Sequence, residues 1–141
     1  MRKLGLIMVA CVLLAGCKDP YGAAAKADAD IAQGISSALV TVASLQQQGL
    51  ITSAEALNVA NYLEFANQGD EAFGACIQVA HTTGKAGAFT ACAQAFNSTL
   101  NNPTELALIK VNNPQASANI SAVVTGFTTG VSTVIAALGG K

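Results

Sequence analysis

The sequence predicts an all-α protein, an antiparallel bundle of four longer helices plus a short one that follows an apolar leader. Three observations predict it. Apolar residues recur at alternating spacings of four and three, as in Ile31, Ile35, Ala38, Val42 and Leu45, and again in Ile120, Val124, Phe127, Val131, Val134 and Leu138. That alternation keeps one stripe on one face of a helix, whereas no segment shows the period of two that a half-buried strand requires. The breaks between stripes carry residues that start and stop helices.

The elements follow in order, near 22–48, 53–82, 87–100, 104–111 and 115–138. Gly49 closes the first helix, since glycine accepts the left-handed conformation common just past a helix end. Thr52-Ser53-Ala54-Glu55 opens the second as a capping box, the hydroxyl accepting from a free N–H and the carboxylate reaching back. The second stripe runs Ala56, Val59, Leu63 and Ala66, and resumes at Phe73, Ile77 and Ala80 after a gap. Gly69 weakens this helix without ending it, and Gly84 and Gly87 bracket a turn. Phe89, Ala93, Phe96 and Leu100 make a shorter stripe, and Asn102-Pro103 and Asn113-Pro114 each place a capping Asn before a Pro at a helix start. Short connections favour antiparallel neighbours.

Composition sets bounds on function. The chain has 141 residues and mostly apolar content, with five Phe, two Tyr and no Trp. Arg2 and Lys3, the uncharged run Leu4–Leu14 and the small residues Ala15 and Gly16 have the layout of a secretory signal. The run is too short to favour a spanning helix. Without residues 1–16, five Lys face eight Asp and Glu. A mildly acidic remainder excludes nucleic acid as a partner, because such proteins present a basic patch or stripe.

Leu14-Ala15-Gly16-Cys17 resembles the lipobox of bacterial lipoproteins. The resemblance covers only about the first 18 residues and concerns an address, not a fold. It implies cleavage between Gly16 and Cys17 and a diacylglycerol on the Cys17 thiol; apart from that lipid no cofactor is expected. Cys11 lies within the apolar run without small residues before it and is not the acceptor. Asp19 stands one place beyond the position where an Asp marks inner-membrane retention in this family, so the resemblance leans towards the outer membrane. The expected organisation is a signal peptide at 1–16, a short lipid-anchored tether at 17–22 and a helical bundle at 23–141, held close to the bilayer of the cell envelope.

Few side chains suggest chemistry. Cys76 and Cys92 each lie eight residues from Gly84, so a hairpin turning there brings them level. A disulfide is expected, since export places them where disulfides form. His81, the one histidine, falls in the last turn before Gly84, where it complements the helix dipole. A Cys76/His81/Cys92 metal site would lack a fourth ligand. Asp28 and Asp30 are expected in solvent. Asp70, with Glu71 beside it, falls where the second stripe would otherwise be apolar and is expected to mark a bend or an exposed stretch after Gly69. Glu64 is six residues from Asp70, which is not a same-face spacing. No nucleophile elbow, phosphate loop or metalloprotease pair occurs, so no catalytic residue is expected.

The first expectation for function is therefore a non-enzymatic binding or structural lipoprotein that contacts the membrane through its anchor and another envelope protein through its bundle. The alternative is a membrane-active protein whose helix at 115–138 inserts: Ile120–Leu138 has no charge, and Gly126 and Gly130 form a small-xxx-small pair. Against insertion stand its Ser and Thr content and the missing aromatic flanks; packing in the bundle, with those glycines admitting a neighbour, is the expected state. An envelope enzyme ranks third.

Overall fold

A computed structural model describes residues 19–85 and 87–139, with side chains through 133 and at 136. Among these residues the chain is all-α, as predicted. Helix α1 spans Pro20–Gln47. The Asp19 carboxylate caps it by accepting from the Tyr21 N–H at 3.1 Å, and Pro20 has no N–H to satisfy. Pro20, Tyr21 and Gly22, read in the sequence as tether, are thus the first turn of a helix. At the other end the Gly49 N–H reaches the Gln46 carbonyl and the Leu50 N–H reaches that of Leu45, both at 3.0 Å. This paired closure needs the positive φ of 70° that Gly49 adopts.

Helix α2, Ser53–Thr83, begins with the predicted capping box. Thr52 N–H donates to Glu55 Oε2 at 2.8 Å, and Glu55 N–H donates to Thr52 Oγ1 at 3.2 Å. The helix passes through Gly69 unbroken and stops at Gly84, whose φ is 60°. Helix α3 is Ala88–Leu100 and α4 is Pro103–Leu106, followed by a 3-10 turn over Ala107–Ile109. The predicted short helix to 111 is therefore split and ends earlier, with Lys110 already extended. Helix α5 is Pro114–Gly139. Asn102 and Asn113 cap as expected, their side-chain oxygens accepting from the N–H groups of Thr104 and of Gln115 and Ala116.

Helix α1 packs on α2 and α5, and α3 packs on the same two partners. The directions alternate where pairs of residues fix them. Gln46 meets Ser53 at one end of the α1–α2 seam, and Tyr21 meets His81 at the other. Along α2–α3, Tyr62 meets Leu100, Phe73 stacks on Phe96 at 5.6 Å, and Cys76 is joined to Cys92. Phe127 of α5 lies against Gly34 of α1. The arrangement is compatible with the antiparallel bundle expected from the loops.

Helix α3 has 13 residues and α2 has 31, about 20 Å against about 46 Å. The α4 and 3-10 segment covers part of the rest of α2. Glu55 ties it down: Oε1 accepts from the Asn112 N–H at 2.8 Å, while Oε2 serves the capping box.

The core holds the predicted stripes, with Ile31, Ile35, Ala38, Val42 and Leu45 from α1, and Ile120, Val124, Phe127 and Val131 from α5, to which Ala116 is added. The side chains of Val134 and Leu138 lie outside the described residues. Tyr62, absent from the predicted stripe, is fully buried, and its hydroxyl donates to the Leu100 carbonyl at 3.2 Å at the end of α3. One expectation is overturned. Gly126 and Gly130 admit no neighbour: a Cβ on either would meet nothing within 4 Å. The close approaches fall at Gly34, Gly69 and Gly74 instead, because the core-facing stripe of α5 places Gly126 and Gly130 on the outer side. Among the described residues no helix is long and apolar enough to cross a membrane.

Candidate functional site

The gap in the α2 stripe is Asp70, four residues after Ala66 and three before Phe73, which is a core-facing place in the four-and-three pattern. The structure overturns the expectation of a bend or exposed stretch. Helix α2 runs unbroken through this point, and Asp70 is 4% exposed, the one buried charged residue among those described. Its Oδ1 has no hydrogen-bond partner. Burial, and then the charges of Asp28 and Glu71, push its carboxyl up from 3.8 to about 7.

Asp28 fills the corresponding place on α1, between Ala24 and Ile31. It too departs from the expectation of solvent: it is half-buried, and burial raises its carboxyl above the usual range. Its carboxylate lies directly over Gly74 of α2, where a Cβ would stand 2.9 Å from Oδ1. Glycine at 74 thus lets an acidic side chain lie against the helix backbone. Asp30 behaves as expected, in solvent and paired with Lys26 at 3.0 Å. Helices α3 and α5 contain no charged residue, so neither supplies a counter-charge to the buried pair. Glu64 is exposed and bonded to Gln68, apart from Asp70.

A second cluster lies at the end of the bundle where α1 begins. Cys76 and Cys92 form the expected disulfide, with Cα atoms 5.7 Å apart. One turn further along α2, His81 occupies the last turn as predicted. Its ring stacks on Tyr21 with centroids 4.0 Å apart, and Phe89 of α3 lies 6.4 Å from Tyr21 at a tilt. The sequence offered no signal for this contact, which depends on how α1 docks. Gly16, Cys17 and the rest of the leader lie outside the described residues. Among the described residues no group of three His, Cys, Asp or Glu is placed to hold a metal ion.

The third feature is a shallow groove of about 230 Å³ along the outer α1–α2 seam, floored by Ile35 and Leu63 and edged by Leu39, Ser36, Glu64 and Asn67. Nearby Leu39, Val40 and Leu57 are 43%, 70% and 61% exposed. From Ile31 to Leu63 the only charged residue is Glu55, occupied in capping. This face is mostly apolar, with Glu64 as the one carboxylate lining its groove. No family model, no curated protein and no solved structure matches the chain, so its own residues carry the functional reading.

Proposed function

We propose that the protein is a cell-envelope lipoprotein, cut between Gly16 and Cys17 and anchored by lipid on Cys17. In this reading it presents a disulfide-stapled helical bundle as a non-enzymatic binding or structural module. The observation that carries the reading is the lipobox-like Leu14-Ala15-Gly16-Cys17 three residues before a helix that begins at Pro20. Three residues of extended chain reach at most about 11 Å, so an anchored Cys17 holds the Tyr21–His81 end against the bilayer. Two or three acyl chains make such an anchor stable. The Cys76–Cys92 disulfide supports the reading, because such bonds persist in oxidising compartments. Asp19, rather than an acidic residue at 18, favours the outer membrane.

The partner in this proposal is another envelope protein, met by the α1–α2 face, whose groove is mostly apolar with Glu64 as its one carboxylate and Leu39 exposed at its edge. That face runs along the side of the bundle and is open to a neighbour standing on the same membrane. Insertion of α5 is disfavoured because its apolar stripe, Ile120, Val124, Phe127 and Val131, is used against the core. Intact mass of the membrane-extracted protein tests the anchor. A chain starting at Cys17 with added acyl mass, released from membranes by Cys17→Ala, is expected. An uncleaved chain, or one starting at Cys17 without acyl mass, would overturn it.

A further inference from the structure

Among the described residues Asp70 is the one buried charged side chain in the core. Across the seam, Asp28 of α1 lays its carboxylate over Gly74, one turn along α2 from Asp70, close enough for its charge to act on Asp70. An unpartnered carboxylate oxygen buried in such surroundings is costly unless neutralised. We propose that Asp28 and Asp70 form one proton-binding site in the bundle core, and that loss of its proton loosens α1 from α2 at the end where α1 begins.

The groups around Asp70 leave a proton as the neutralising cation. On its own helix Glu71 is adjacent and of the same sign. On α1 the charged residues are Asp28 itself, with Asp30 and Lys26 paired to each other in solvent. Helix α3 brings no titratable group, its Cys92 being in the disulfide, and α5 has none along its length. Among the described residues no third His, Cys, Asp or Glu joins the pair to make a metal-holding group. Like charges sharing a site favour one retained proton.

The response is local for a structural reason. Helix α2 is bonded to α3 through Cys76–Cys92 in this half of the molecule, but α1 is held only by packing. Its first turns are Ala-rich, with Ala23, Ala24, Ala25, Ala27 and Ala29. Alanine buries little area per layer compared with Ile or Leu. Water drawn to an ionised Asp70 enters most easily along the seam where Asp28 is already half-exposed.

The sign follows from linkage. An unfolded Asp ionises near 3.8, whereas Asp70 in the fold does so at about 7. Between these values the native state holds the extra proton, so its folding constant falls by up to tenfold per pH unit as pH rises, then levels off. The test uses the mature, disulfide-intact protein. Carbon NMR of the Asp70 carboxyl, urea unfolding from pH 5 to 9 and amide exchange in residues 20–31 are followed in wild type, Asp70→Leu and Asp28→Asn. The expected result is an Asp70 titration near neutrality, a wild-type midpoint that falls up to about pH 7, and greater opening of α1 above it. Asp70→Leu should be flat, and Asp28→Asn should titrate at lower pH. Should Asp70→Leu not fold, the wild-type carboxyl titration and Asp28→Asn decide alone. A carboxyl titrating in the ordinary range, or an Asp70→Leu protein that keeps the fall, would overturn the proposal. So would stabilisation of wild type at pH 8 by added Ca²⁺ or Na⁺ that Asp70→Leu lacks, which would make the pair a metal site.

Discussion

Reduction of the Cys76–Cys92 bond is the perturbation whose size the structure constrains best. The two cysteines are 16 residues apart in sequence. In the chain-entropy account, a cross-link closing such a loop stabilises the fold by about 3 kcal/mol, acting mainly on the unfolded chain. The folded side should change little. The α2–α3 contact is also made by the Phe73–Phe96 stack, by the Tyr62–Leu100 hydrogen bond and by the close approach of Phe96 and Thr99 to Gly69. The freed Cys92 thiol stays in an apolar site that suits it. Against a total of about 5–15 kcal/mol for a domain, the loss is about a fifth to three-fifths of the stability. Urea unfolding followed by circular dichroism, with and without a phosphine reductant, reads it. The midpoint should fall while helical content in buffer is unchanged. The slope with urea should rise, because an uncross-linked chain exposes more surface when unfolded. Cys76→Ala/Cys92→Ala should match the reduced protein closely. A loss under about 1 kcal/mol would show that the unfolded α2–α3 hairpin is already restrained without the bond. Loss of helix on reduction would show that packing does not hold α3 in place. Either result would refute the reasoning.

Other substitutions test packing and capping. Gly34→Ala places a Cβ 2.8 Å from Phe127 Cε1, and should lower stability by about 1–3 kcal/mol in thermal melts. Gly126→Ala meets open space and should raise stability by up to about 1 kcal/mol in the same assay. Tyr62→Phe leaves the Leu100 carbonyl without its donor and should cost about 1 kcal/mol by urea midpoint. Glu55 is held below the usual carboxylate range by the N–H groups of Thr52 and Asn112, so the stability it contributes is present above its ordinary value of 4.5 and is lost as pH falls. Melts between pH 2.5 and 5 should show a weaker acid dependence in Glu55→Gln. With Asp70 acting in the opposite direction at higher pH, stability should peak in the mildly acidic range.

The helices and most of their ends were legible within single segments of the chain. Spacings of four and three are a property of one segment, and a cap is a contact between residues three apart, as at Thr52 and Glu55 or Asn113 and Ala116. The Cys76–Cys92 pair was equally legible, because a single turn at Gly84 made its two sides equal in length. The same rule shows where reading stopped short. Asp28 and Asp70 each sit in step with their stripes, between Ala24 and Ile31 and between Ala66 and Phe73. That continuity was the available signal for burial, set against the ordinary preference of a carboxylate for water. Only the packing of the helices decides between them, laying Asp28 against Gly74 and leaving Asp70 buried. Tertiary structure likewise decided which glycines meet a neighbour, that Tyr62 is core, and that Tyr21 covers His81. Each of these depends on how far one helix is rotated and slid against another. Periodicity fixes which residues share a face, but not what that face meets.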